Sequence, residues 1–119
     1  MLRHDSPLHL FERTATAPTS IGDVALAPGD KIAALLGAAN RDPALFTDPD
    51  VFDPTRDPNP HLAFGAGIHF CVGAPLARLE LATSVSRLFA RWPALRVVSA
   101  ERRPTFVLRG YERLIIAPA

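Results

Sequence analysis

The residues with the clearest chemical potential lie in one glycine-rich stretch around the only cysteine of the chain. Residues 64–73 read FGAGIHFCVG, so Cys71 follows His69 by two positions and stands among three glycines, Gly65, Gly67 and Gly73. A cysteine thiolate can bind a metal or attack an electrophile, and a histidine can bind a metal or move a proton. Packing alone seldom requires this combination, so the stretch is the first candidate for a functional site.

The glycines and the residues that follow them indicate what the stretch could hold. Without a Cβ, the backbone at Gly65 and Gly67 can form a bulged turn and approach a flat ligand closely. Gly73 keeps space around the sulfur of Cys71. Cys71 also comes just before a predicted helix, and the first amide groups of a helix favour a thiolate over a thiol nearby.

The elements that position this stretch follow from proline, glycine and hydrophobic spacing. Residues 74–91 contain no glycine, carry Pro75 near their start and stop before Trp92-Pro93, so they form the longest predicted helix. Apolar side chains at helical spacing predict a buried stripe along it. The stripe consists of Leu81, Val85, Leu88, Phe89 and Trp92.

The rest of the chain has the pattern of short strands and irregular segments. The turn sequence APGD at 27–30 predicts a small β-hairpin between Ile21 and Leu36. Asp42 directly before Pro43 predicts one helical turn over residues 43–46. The prolines of residues 51–60 predict an irregular meander. After the helix, the runs LRVV, TFVLRG and RLIIA predict a closing small sheet.

Composition limits the class of protein. The chain has 119 residues, of which 48% are hydrophobic, and a formal net charge of +1, which gives no global field for nucleic acid or an anionic membrane. One cysteine excludes an intramolecular disulfide and the paired-cysteine zinc spacings. No apolar run has the length of a membrane span or a signal peptide. We therefore expect a cytoplasmic protein that binds neither nucleic acid nor membrane.

Taken together, these motifs resemble the cytochrome P-450 family. Residues 64–73 meet every defined position of its haem-binding pattern, Phe-Gly-x-Gly-x-His-x-Cys-x-Gly followed by a helix, and the resemblance continues through GAANRDP upstream and GAPLARLE downstream. It covers nearly the whole chain and looks like the soluble bacterial branch. It implies an α+β piece of the mostly α P-450 fold, with residues 1–119 as one partial, C-terminal domain.

The resemblance also implies roles for single residues. Cys71 would be the proximal ligand of the iron in haem b, and Phe64 would lie against the porphyrin near the sulfur. His69 and Arg13 would donate hydrogen bonds to the haem propionates. Gly65, Gly67 and Gly73 would shape the loop that receives the cofactor. Core packing for Phe64, a backbone hydrogen bond for His69 and simple solvation for Arg13 remain open alternatives.

Two further arginines match a charged network of the family. Arg3 resembles the arginine of its Glu-x-x-Arg element, and Arg56 resembles the meander arginine that shares the same carboxylate. The corresponding glutamate would stand immediately before Met1, and a distal helix that delivers protons to bound dioxygen would precede it. We therefore expect a truncated chain that does not turn over substrate alone.

The activity that the resemblance implies is oxidation, with other classes less well supported. A monooxygenase would hydroxylate a small organic substrate with dioxygen and with electrons from a ferredoxin-type partner, which Arg78 could attract. A non-catalytic haem-binding or docking fragment is the alternative. A hydrolase with Cys71 as nucleophile and His61 or His69 as base would leave the glycines unexplained. A dinucleotide site lacks its third glycine, because Phe70 stands there.

Overall fold

The computed structural model describes all residues from 1 to 119 and divides them into two units. The first unit is Met1–Ala63 with Thr105–Arg109, and the second is Phe64–Pro104 with Gly110–Ala119. The elements in chain order are β1 (Leu10–Thr14), β2 (Thr19–Ile21), β3 (Val24–Leu26), β4 (Lys31–Leu35), α1 (Leu36–Ala39), α2 (Ala74–Arg91), β5 (Leu95–Arg102) and β6 (Tyr111–Pro118). This mixture of strands and helices confirms the expected α+β class.

The strands of the first unit pair differently from the prediction. The turn at 27–30 forms as expected, with the Ala27 amide donating to the Asp30 carboxylate at 2.7 Å and Gly29 at a φ of 95°. However, this turn does not close a hairpin, because β3 pairs with β2 while β4 pairs antiparallel with β1. The hairpin of this region turns at Gly22, whose φ is 55°. The prediction was wrong because it paired the strand after the turn with the strand before it, whereas β4 pairs with β1, which lies further back in the chain.

The predicted helical turn after Asp42 is confirmed by its hydrogen bonds. The Phe46 amide donates to the Asp42 carbonyl at 2.9 Å, and the Asp42 carboxylate accepts from the Ala44 amide at 2.9 Å. Residues 51–60 form neither helix nor strand, as their prolines predicted. The TFVLRG run, in contrast, is not part of a sheet, since it contributes only one isolated bridge, between Leu8 and Leu108.

The interior of the first unit combines apolar and polar side chains. Phe46 is 2% exposed and Ala63 is 6% exposed. Beside these, Arg3, Ser6 and Asn40 are also buried, with exposures of 4%, 1% and 0%. Buried polar groups of this kind need hydrogen-bond partners, and their partners are described below.

The second unit contains the long helix and a two-stranded antiparallel sheet. Helix α2 has the predicted bounds, and β5 pairs with β6. The predicted buried stripe is wrong, because Leu81 is 44%, Phe89 50% and Trp92 40% exposed. Helical spacing decides which side chains share a face, but burial also needs an element packed on that face, and no described strand or helix packs along α2. Neither helix is long and apolar enough to cross a membrane.

Candidate functional site

The backbone of residues 64–73, the Cys71 loop, closes on itself. The Cys71 amide donates to the Phe64 carbonyl at 2.8 Å, so the two ends of the stretch are hydrogen-bonded to each other. Between them a single 3₁₀ turn covers Gly67–His69. The sequence pattern therefore folds locally into a compact turn, within which six of the predicted site residues lie together.

Two of the three glycines of the loop, Gly65 and Gly67, are required by its shape. Gly65 has a φ of 71° and Gly67 a φ of 61°, a region that side chains rarely adopt. A Cβ at Gly65 would also come within 3.2 Å of the His69 carbonyl oxygen. At Gly73 a Cβ would touch the Cys71 sulfur at 3.8 Å, which is an ordinary contact. The first two glycines thus form the turn, and Gly73 leaves open space beside the sulfur.

The thiol of Cys71 is exposed and stands at the start of helix α2. The Ala74 amide donates to the Cys71 carbonyl at 3.1 Å, which joins the loop directly to the first turn of the helix. Gly73 is the residue before the helix and supplies no side-chain cap. The amide groups of the first turn of α2 therefore follow Cys71 directly along the chain.

Aromatic and cationic side chains flank the loop. The rings of Phe64 and Phe70 meet edge to face, with centroids 6.5 Å apart. The Arg78 guanidinium lies 5.1 Å from the centroid of the Phe64 ring. Arg78 therefore packs on an aromatic ring, a contact that the sequence analysis did not predict. Two apolar side chains, Ile68 and Val72, are almost completely exposed, at 98% and 99%.

Arg13, the remaining predicted site residue, belongs to the first unit. It lies on β1, where its side chain is exposed. Its guanidinium donates to the Glu12 carbonyl at 2.9 Å and lies 5.2 Å from the centroid of the Phe11 ring. These contacts hold the side chain along its own strand. The structure thus groups Phe64, Gly65, Gly67, His69, Cys71 and Gly73 in one loop and places Arg13 in the other unit.

The two arginines of the predicted charged network lie within electrostatic reach of each other. Arg3 donates to the carbonyls of Asn40 at 2.7 Å and Pro49 at 3.0 Å. Burial lowers the pKa of Arg3, and the positive charge of Arg56 lowers it further. Arg56 donates to the Asp48 carbonyl at 3.2 Å, while its buried Nε has no hydrogen-bond partner among the described residues. The positive charges of Arg3 and Arg56 therefore act on each other, and the shared carboxylate of the predicted network stays a prediction.

The sequence analysis missed one fully buried polar residue, Asn40. Its side-chain amide donates to the Ser6 hydroxyl at 2.6 Å, and its side-chain oxygen accepts from the Leu62 amide at 2.7 Å. Asn40 belongs to the motif GAANRDP, which the sequence analysis used only as part of the resemblance to the P-450 family. No local signal in the sequence marks Asn40 as buried, because its partners Ser6 and Leu62 lie 34 and 22 positions away.

The Cys71 loop fits a flat cofactor whose metal takes one protein ligand. The Cys71 thiol is exposed, Gly65 and Gly67 carry no side chain, and helix α2 begins three residues after Cys71. No group of three or more metal-ligating side chains occurs in the chain. Haem bound through a cysteine thiolate has this ligand requirement.

Comparison with known proteins identifies the family. The cytochrome P450 family model matches residues 1–103. The biotin biosynthesis cytochrome P450 of Bacillus subtilis is 47% identical over 115 residues, covering 95% of this chain and 29% of that protein. Cytochrome P450 107B1 of Saccharopolyspora erythraea is 46% identical over 123 residues, covering 98% of this chain and 30% of that protein.

Solved structures agree. The crystal structure of P450BioI in complex with an acyl carrier protein ligated to hexadec-9Z-enoic acid superposes with a TM-score of 0.93 at 44% identity, covering 99% of this chain and 31% of that one. The chain belongs to the cytochrome P450 family, whose members bind haem. It spans about 30% of the length of the relatives that it matches.

Proposed function

We propose that the chain forms the haem-proximal part of a monooxygenase in which Cys71 is the protein ligand of the haem iron. Family membership supports the cofactor, and the Cys71 loop supports the ligand. The observation that carries the proposal is an exposed thiol on a turn with two positive-φ glycines, directly before a helix N-terminus. Bound haem supplies the redox chemistry that cleaves dioxygen and oxidises an organic substrate.

The side chains of the loop would bind and orient the cofactor. Gly65 and Gly67 allow close approach of a flat ring, because they place no Cβ on the turn. Phe64, with Arg78 over its ring, would exclude water from the sulfur of Cys71. His69 and Arg13 would donate charge-assisted hydrogen bonds to the propionates of haem b.

The proposed electron donor is a ferredoxin-type protein. Arg78 would present positive charge beside the Cys71 loop to an acidic partner. The exposed side chains of Ile68 and Val72 would give that partner apolar contact area. The expected substrate is a small organic molecule. The whole protein would bind it, and this chain would contribute the residues on the proximal side of the haem.

A second candidate is a non-catalytic fragment that binds haem or docks against further polypeptide. Exposed apolar side chains favour it: Leu79 on α2 is 63% exposed, and Val97 on β5 is 61% exposed. Large exposed apolar patches mark interaction surfaces in soluble proteins. In this case the 119-residue chain would bind haem without turning over substrate.

Spectroscopy of the haem complex tests the proposal. The purified chain is titrated with hemin, reduced and exposed to carbon monoxide, and thiolate ligation is expected to shift the Soret band far to the red. Cys71→Ala should abolish the shifted band. Val72→Ala is the matched control, because it changes the neighbouring, 99% exposed side chain and leaves the thiol in place.

The outcomes separate the two candidates. A shifted band that survives Cys71→Ala, or no shifted band in the parent chain, would contradict Cys71 as the ligand. Where the band is present, oxidation of a test substrate with a ferredoxin and its reductase would support the monooxygenase. Haem binding without any product would support the non-catalytic fragment.

A further inference from the structure

Asn40 connects its own segment to two distant segments of the first unit through its polar groups. Its side-chain amide donates to Ser6, its side-chain oxygen accepts from the Leu62 amide, and its backbone carbonyl accepts from Arg3. Its backbone amide donates to the Leu36 carbonyl at 3.0 Å. The residue is 0% exposed, its bonds to Ser6 and Arg3 are buried and its bond to Leu62 is partly buried, so its polar groups would be costly to leave unpaired.

The bond to Leu62 is the one that concerns the functional site. Leu62 lies two residues before Phe64, where the Cys71 loop begins. Between them Ala63 is 6% exposed, and its amide donates to the His61 ring at 3.2 Å. The chain is therefore held by a long-range bond at Leu62 and by a short-range bond at Ala63 immediately before it continues into the loop.

We propose that Asn40 is a positioning residue for the thiolate ligand, because its carboxamide fixes the backbone at Leu62 from which the Cys71 loop continues. The inference rests on the proposed haem role of that loop. Asn40 touches neither the thiol nor the expected cofactor site, and it acts only through the backbone that it holds. Loss of its side chain should therefore affect how well Cys71 is held as a ligand, beyond any general loss of stability.

The carboxamide suits this position for a chemical reason. The Leu62 amide needs an acceptor, while the Ser6 hydroxyl donates to the Leu2 carbonyl at 2.9 Å and therefore needs a donor from Asn40. Asparagine supplies an acceptor and a donor at the two ends of one short side chain. Asn40→Asp keeps the acceptor for Leu62 and loses the donor for Ser6.

The chain offers a matched control. Ser6→Ala removes the hydrogen bond of 2.6 Å on one end of the carboxamide, and Asn40→Ala removes that bond together with the 2.7 Å bond on the other end. Both changes lie in the same buried cluster. Only Asn40→Ala releases Leu62. A third variant, Phe46→Leu, perturbs a 2% exposed ring whose centroid lies 4.7 Å from the Arg3 guanidinium, and it leaves both hydrogen bonds of the Asn40 carboxamide in place.

The experiment combines hydrogen exchange with the haem spectrum. In the chain without haem, Asn40→Ala should speed exchange of the Leu62 amide by about tenfold relative to the Arg109 amide, which donates to the Pro7 carbonyl at 2.8 Å. Ser6→Ala, Asn40→Asp and Phe46→Leu should leave that ratio within about twofold of the parent value. In the haem complex, Asn40→Ala should show a smaller fraction of the thiolate-shifted Soret band than a control variant with the same unfolding midpoint.

Two results would overturn the inference. One is an unchanged relative exchange rate at Leu62 in Asn40→Ala. The other is a shifted-band fraction that falls equally in Asn40→Ala, Ser6→Ala and Phe46→Leu at matched stability. If Asn40→Ala does not fold, Asn40→Asp tests the inference instead. The aspartate side chain would keep an acceptor for the Leu62 amide, so faster exchange of that amide in Asn40→Asp would contradict the inference. A parent chain without the shifted band refutes the proposed function instead, and the exchange rates then decide the role of Asn40 at Leu62.

Discussion

Replacing Gly37 with alanine adds one methyl group that would clash with the present position of the His9 ring. An ideal Cβ at this position would lie 2.6 Å from Nδ1, 2.9 Å from Cε1 and 3.0 Å from Cγ of the His9 ring. Ordinary van der Waals contact begins at 3.4 Å, so the ring would have to move by about 0.8 Å. Gly37 has no positive φ, so alanine itself fits the backbone.

His9 and Gly37 both line a cavity of about 270 Å³, but two contacts oppose movement of His9. The Phe106 ring meets it edge to face with a centroid distance of 5.9 Å, and the Gly37 amide donates to the His9 carbonyl at 3.3 Å. Overpacking of this kind costs about 1–3 kcal/mol. Alanine in a helix gains about 0.5–1 kcal/mol over glycine. We therefore expect Gly37→Ala to lower the free energy of unfolding by up to about 2.5 kcal/mol.

A double-mutant cycle measures this contact directly. Urea unfolding of the parent, Gly37→Ala, His9→Ala and the double variant should show that the alanine at 37 is tolerated once the ring is removed. The coupling free energy between the two sites should be about 1–3 kcal/mol, with Gly37→Ala less destabilising in the His9→Ala background than in the parent. A coupling free energy near zero would refute the reasoning.

Two further predictions concern the same unit. Burial lowers the pKa of His9 from its ordinary 6.5, and the charge of Arg109 lowers it further. The unfolded state then binds this proton more readily, so the stability contribution of neutral His9 is complete above about pH 6.5 and is lost as the pH falls below it. Thermal unfolding between about pH 5 and pH 8 should show that the free energy of unfolding of the parent and of His9→Gln depends on pH with slopes that differ by up to about 1.4 kcal/mol per pH unit. Parallel curves would contradict this. Asp42→Ala removes the 2.9 Å bond to the Ala44 amide and should cost about 1 kcal/mol in urea unfolding, whereas an equally stable variant would show that the cap contributes nothing.

Local structure could be predicted wherever neighbouring residues decide it. Helix α2 has its predicted bounds because Pro75 and Trp92-Pro93 limit it from within the segment. The turn at Asp42 follows from a capping side chain two residues from its partner. The loop at Gly65 and Gly67 adopts positive φ angles that only glycine accepts easily. In each case the cause lies within a few positions of the effect.

Pairing and burial could not be predicted in this way. β4 takes β1 as its partner across an intervening hairpin, and no residue next to the turn at 27–30 records that choice. The apolar stripe of α2 has the correct spacing, but burial depends on what packs against it. Likewise the contact of Arg78 with Phe64 depends on how the Cys71 loop folds back toward α2.

By itself the sequence predicted the chemistry of the candidate site. The types and spacing of Cys71, His69 and the loop glycines resemble a haem-thiolate pattern, because a ligand type and a turn conformation can both be encoded within ten consecutive residues. Only the tertiary structure decided which distant groups contact each other. Asn40 reaches Leu62, 22 positions away, through one hydrogen bond, and no local pattern in a chain can specify a partner at that separation.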